Sequence, residues 1–336
     1  MMPEFGFPTQ HRNHSMSLLI GALRERSDAA RVESVTARFE DVTAELGGNV
    51  SELMQIEKSI SDLKGYAETI TLAEARADVT QKSLSRIREV AQALADNTDL
   101  LSTNGSTNDF ENLSAQAREE FGSIVSALNV HFGGRALFSG DDSSGIAVLD
   151  QDATFALGVP FLEGATSVTV AYNNIISEFT TAGATYDTAI YQGGSGDAPP
   201  ALVAAGESVS YSVKADEAPL RTVMANVIAR GAAFDQTNAI PDDQRNELAS
   251  LASAGLRSDI SGIIATEGRV GAAEGRIATV KARNIASDAS LTVAFNNLAG
   301  ADQLNAAIEI TELERQLETA FATTARMSNL SLVNFL

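Results

Sequence analysis

The stretch Glu267-Gly268-Arg269-Val270-Gly271-Ala272-Ala273-Glu274-Gly275-Arg276-Ile277 carries one tetrapeptide pattern twice, seven positions apart. Working outward from it, Ile263, Val270, Ile277, Leu291 and Leu298 keep the same seven-residue phase, with Asn284 as the one polar substitute. A second series adds Ile310, Leu313, Leu317, Ala320 and Met327. An apolar residue every seven positions marks a long helix with one seam for a partner helix. The repeat returns its small and charged residues to the same faces, which is a packing pattern rather than a catalytic one.

A partner stripe lies in the first third of the chain. After Gly47-Gly48-Asn49, a break suited to turning the chain, Leu53, Ile56, Ile60, Leu63, Ala67 and Ile70 form an a/d stripe. Its phase continues through Ala77, Leu84, Ile87, Ala91 and Leu94 and stops near Asp96-Asn97-Thr98. A further helix is expected from Phe110 to about His131, whose imidazole would then favour the helix dipole. The seam argument therefore pairs Ile56, Leu63 and Ile70 with Ile263, Val270, Ile277, Leu291, Leu298, Leu313 and Leu317.

Between Arg135 and Lys214 there is no basic residue, while nine Asp and Glu occur, so this span has a different surface and reads as a separate domain. Val168, Val170 and Tyr172 alternate with small or polar residues, as do Val209, Tyr211 and Val213, which is the period of half-buried strands. Gly193-Gly194-Ser195-Gly196 reads as part of a long exposed loop. The expected division is a flexible leader over 1–16, an N-terminal helical arm over 17–139, an acidic β-rich insert over 140–216 and a C-terminal helical arm over 217–336. The fold class is α+β: a long antiparallel helical bundle or coiled-coil rod interrupted by a small β-rich domain.

Composition narrows the function classes. The 336 residues include no Cys and no Trp, with 24 Lys and Arg against 44 Asp and Glu, for a formal net charge of -20. That balance repels phosphate backbones and anionic lipid surfaces, so neither nucleic acid nor membrane insertion is expected. No run of about eighteen apolar residues occurs. Met16 to Leu23 is followed by Arg24, Glu25 and Arg26 where small residues of a cleavage site belong, so export by signal cleavage is not expected. Asp141, Asp142, Asp150 and Asp152 invite a calcium reading, but placing Gly145 sixth in a twelve-residue loop puts Gly140 first and Gln151 last, and both end ligands fail. None of the three histidines has a Ser or Asp partner by spacing. The expectation is a protein without catalytic residues, metal or cofactor.

Two stretches resemble a known family. Gly133-Gly134-Arg135-Ala136-Leu137-Phe138-Ser139-Gly140, with Asn129 four residues before it, is similar to the signature that closes the N-terminal arm of the hook-filament junction proteins of the flagellin superfamily. The C-terminal run, an Asp-containing Ala-rich helix ending on Leu330-Ser331-Leu332-Val333-Asn334-Phe335-Leu336, resembles the arm that ends flagellin-like chains. One departure stands at Ala29-Ala30-Arg31-Val32, where relatives carry Gly before the basic residue. The resemblance implies an extracellular flagellar structural protein, with self-association and with flagellin, another hook-associated protein and an export chaperone as partners. It implies inter-subunit roles for Leu18, Leu19, Leu23, Leu330, Leu332, Phe335 and Leu336. Flagellin itself remains an alternative, as does an intracellular coiled-coil adaptor or signalling protein built on similar heptads.

Overall fold

The computed structural model describes residues 7–47, 50–96, 107–142, 145–162, 165–235, 240 and 242–333, and helices dominate it. In chain order they are α1 (Phe7–Thr36), α2 (Val42–Leu46), α3 (Val50–Asp96), α4 (Thr107–Leu128), α5 (Gln151–Gly158), α6 (Val168–Thr180), α7 (Ala218–Phe234), α8 (Asp242–Ala299) and α9 (Gln303–Val333). Two small antiparallel hairpins pair β1 (His131–Phe132) with β2 (Arg135–Ala136), and β3 (Ala201–Ala204) with β4 (Glu207–Val209). The chain divides into two compact units: an end unit of Met1–Lys64 with Ile285–Leu336, and a core unit of Gly65–Asn284. The division therefore falls within helices α3 and α8 rather than at the edges of the acidic span.

In the core unit α3 and α8 run antiparallel, as the ion pairs Arg88–Glu267 at 3.1 Å and Lys281–Glu74 at 2.6 Å record. Of the heptad residues in this unit, Ile70, Leu84, Ile87, Ile263, Val270 and Ile277 are all buried. Helix α7 occupies the middle of the unit, and every residue from Val223 to Phe234 is buried. Pro219 stands in its first turn, where a missing N–H costs nothing. Around it pack Phe121, Ile124 and Leu128 from α4, Leu248, Ala252 and Leu256 from α8, and Phe155, Ile175 and Phe179 from the acidic span.

The structure corrects three local expectations in and just before the acidic span. Val168, Val170 and Tyr172 lie on α6 rather than on a strand. Alternation over five residues also fits the start of a helix, and the buried set Val168, Ala171, Ile175 and Phe179 has the helical period, with Ser167 accepting from the Val170 N–H as N-cap. The span is mostly helical, its β content being the β3–β4 hairpin, and β4 ends at Val209 before Tyr211 and Val213. His131 lies in β1, after α4 has ended at Leu128, so it takes no place at a helix terminus.

The end unit pairs α1 with α9 antiparallel, as the Arg24–Phe321 contact and the Arg38–Gly300 bridge record, with the ion pairs Arg26–Glu309 at 2.7 Å and Arg31–Glu314 at 3.0 Å between them. Here too the leader is shorter than expected, because α1 begins at Phe7 with Pro8 in its first turn, and it runs through Ala29-Ala30-Arg31-Val32 without a break. The chain turns instead at Ala37, a non-glycine residue at φ 54°. An antiparallel bridge between Arg38 and Gly300 then closes the two helix ends on each other.

Candidate assembly surface

Among the described residues of the end unit the buried positions are chiefly small, namely Ser27, Ala30, Ala299, Ala306 and Ala320, with Leu53 and Leu313 the large exceptions. Two helices in contact bury one narrow seam and leave the rest of each apolar stripe facing outward. Among the described residues, ten of the fifteen exposed large apolar side chains belong to this unit, which is about a third of the chain. Val35 is 80 % exposed, Leu304 70 % and Leu18 61 %, alongside Leu19, Val293 and Ile308. A groove of about 470 Å³ opens between α1 and α9, lined by Met16, Leu19, Leu23 and Ala320 with Glu312 and Arg315 at its polar side. Two guanidiniums cover aromatic rings in the same unit, Arg24 over Phe321 at 5.3 Å and Arg38 over Phe295 at 5.1 Å.

The residues expected at subunit contacts divide accordingly. Leu18 and Leu19 are exposed, and Leu23 is half-buried in the groove wall. Leu330, Leu332, Phe335 and Leu336 lie outside the residues whose side chains are described. Of the seam residues, Ile70, Ile263, Val270, Ile277 and Leu313 are buried, whereas Ile56, Leu63, Leu291, Leu298 and Leu317 are only half-buried. All five of the latter belong to the end unit.

The octapeptide 133–140 is built as a closure rather than a site of chemistry. Gly133 and Gly134, at φ 60° and 74°, make the two-residue turn between β1 and β2, which the strand twist favours. Phe138 is fully buried behind them. Gly140 is also left-handed, at φ 67°, and a Cβ there would come 2.3 Å from the Gly196 carbonyl oxygen. The loop read as exposed, 193–196, in fact wraps this motif: the Gly194 N–H donates to the Ser139 carbonyl at 2.8 Å, and the Gly196 N–H to Asp141 Oδ1 at 3.0 Å. Asn129 fastens the next turn, its carboxamide oxygen accepting from the Ala147 and Val148 N–H groups at 2.8 and 2.9 Å while its Nδ2 donates to the Val148 carbonyl at 2.8 Å.

The acids of this region have similarly local duties. Asp141 serves Gly196, and Asp150 caps α5 by accepting from the Ala153 N–H at 3.0 Å. Among the described residues no group of three or more His, Asp or Glu side chains is arranged to hold a metal. Three ionisable groups with displaced affinities are built into packing. Burial raises the Tyr186 hydroxyl, which donates to the Ala215 carbonyl, and burial lowers Arg230 to about 10 where its guanidinium donates to Ser253. Asp259 is raised by burial, an effect opposed by hydrogen bonds from Thr222 and Asn226. Sequence reasoning missed this last cluster because its members come from α6, α7 and α8, with Tyr172 donating to Asn226 at 2.8 Å. Gly255 makes room for it, since a Cβ there would meet the Asn226 carboxamide at 2.4 Å.

No family model matches the chain, and no curated protein matches it by sequence. Among solved structures it is similar to a candidate flagellar hook-associated protein from Vibrio parahaemolyticus, at a TM-score of 0.54 and 16 % identity over 73 % of this chain and 95 % of that one. At that identity the likeness is one of fold. No helix among the described residues is long and apolar enough to cross a membrane.

Proposed function

We propose that this chain is a structural subunit of the bacterial flagellum that assembles at the junction of hook and filament through the outward faces of α1 and α9. The observation that carries the reading is the concentration of exposed apolar side chains in the end unit, where Leu18, Leu19, Val35, Leu304 and Ile308 are left uncovered by the described residues. Exposed apolar area of this kind marks a surface that packs against another protein. The fold shared with the candidate hook-associated protein from Vibrio and the octapeptide 133–140 support the flagellar assignment over other helical assemblies.

In this reading the subunits contact one another along the paired end helices, with flagellin on one side of the layer and another hook-associated protein on the other. The chain reaches its place outside the cell through the flagellar export apparatus, with a chaperone covering the apolar faces beforehand. Its role in this reading is structural, with Asp141, Asp150 and Asn129 serving as clips and caps within the fold. Quantitative mass spectrometry of sheared flagella against cytosol tests the assignment. The protein is expected in the flagellar fraction at far fewer copies than the filament subunit. Copy numbers equal to the filament subunit would make it flagellin, and confinement to the cytosol would remove the flagellar reading altogether.

A further inference from the structure

The tetrapeptide repeat acquires a specific partner in the core unit. Arg269, Arg276 and Arg283 stand seven apart on α8 and all reach acids outside it: Arg269 donates to Glu217 at 2.6 and 2.7 Å, while Arg283 at 2.6 Å and Arg276 at 3.5 Å share Glu207. Glu207 opens β4 of the small hairpin. The residues one position on, Val270, Ile277 and Asn284, are buried. Asn284, the polar interruption of the seam, donates its Nδ2 hydrogen to the Val203 carbonyl of β3 at 2.9 Å.

Under the hairpin lies a separate apolar cluster. Ala201, Val203 and Val209 point down onto Ile70 and Ala73 of α3 and Ala273, Ile277 and Val280 of α8, while Leu202 points out. An isolated two-stranded hairpin is marginal in water, so this one is held by the helices beneath it. The dependence runs both ways, because without the hairpin those five helical residues would lose their cover. The hydrogen bond from Arg283 holds the Glu207 carboxyl below the usual carboxylate range.

We propose that the hairpin 201–209 is a clasp that fixes where the tightly packed part of the α3–α8 pair stops, with Asn284 setting its register and Arg276 and Arg283 guiding it into place through Glu207. The clasp closes at Ile70 and Asn284, near the limits of the core unit. With it seated, opening motions in the end unit stop there instead of running down α3 and α8, and the core unit keeps its packing while the end helices change partners. A buried Asn that bonds one fixed carbonyl is suited to choosing register, since any slip leaves both groups unsatisfied.

Hydrogen exchange followed by mass spectrometry on the full chain tests this. In the wild type, peptides covering 70–96 and 256–284 should exchange as slowly as α7, and those covering 50–64 and 285–299 much faster. Asn284→Ala should accelerate exchange about tenfold in peptides covering 66–80 and 270–284, the cost of leaving a buried carbonyl unpaired, without altering α4 or α7. Glu207→Lys should give a smaller acceleration at the same places, and adding Arg283→Glu should restore protection. Unchanged exchange in both single variants would overturn the proposal. So would an acceleration spread evenly over the whole core unit, which would mean that the hairpin contributes only general stability.

Discussion

The two units are made of similar heptads and reach opposite results. In the core unit the α3–α8 seam is roofed by α4, α7 and the helices of the acidic span, so Phe121, Phe155, Phe179 and Ile228 are all sealed from solvent. In the end unit α1 and α9 have mainly each other, and the same kinds of residue stand in water, as Leu304 and Ile308 do. Seven-residue spacing fixes which side of a helix is apolar, but the number of neighbours decides how much of that side is buried.

Substitutions that act on one unit only would break or sharpen this contrast. Phe155 meets Phe121 edge to face at 5.9 Å and also supports the Arg118 guanidinium at 4.1 Å. Phe155→Ala should cost about 3–5 kcal/mol in urea unfolding of the purified chain. Leucine truncated in the end unit, Leu304→Ala, should stay within about 0.5 kcal/mol in the same assay, while Leu304→Glu should abolish incorporation into flagella. If the two truncations cost the monomer equally, the contrast fails.

Smaller effects sharpen it. Ala37 holds a left-handed conformation that glycine adopts freely, so Ala37→Gly should raise the end unit's stability by about 1 kcal/mol, seen as slower exchange in α1 and α9. Gly268 and Gly275 face open space on α8, so Gly268→Ala and Gly275→Ala should each stabilise the core unit by about 0.5–1 kcal/mol in urea unfolding. The last prediction is one of slope. Because Asp259 has a folded-state pKa above its unfolded value, its contribution to stability is fully present below the unfolded pKa and is lost as pH rises through the folded one. Asp259→Asn should remove that decline from unfolding curves measured across mildly acidic pH, and an unaltered slope would show that the carboxyl is not desolvated.

Much of the helical frame was legible in the chain. Ile263, Val270 and Ile277 announced the seam by spacing, and all three are buried. The acidic span was not, because Val168, Val170 and Tyr172 satisfy a strand and a helix equally until Ile175 and Phe179 are counted with them. The repeat read as a packing pattern with no partners assigned to its arginines, since the ion pairs to Glu207 depend on a hairpin, and that to Glu217 on the start of α7, brought in from elsewhere in the sequence. One signal did exist: a stretch with nine acids and no base, in a chain whose last helices repeat Arg at a fixed interval. For the assembly surface, Leu18 and Leu19 were singled out by resemblance, whereas Val35 and Leu304 became conspicuous only once their exposure was known.

Limited trypsin digestion of the free chain, compared with the same protein in isolated flagella, tests the central claim most directly. The account predicts early cuts at Arg24, Arg26, Arg31, Arg315 and Arg326 in the free chain, a surviving fragment close to Gly65–Asn284, and loss of those cuts in flagella. Equal resistance of the two units in the free chain, or the same early cuts before and after assembly, would contradict it.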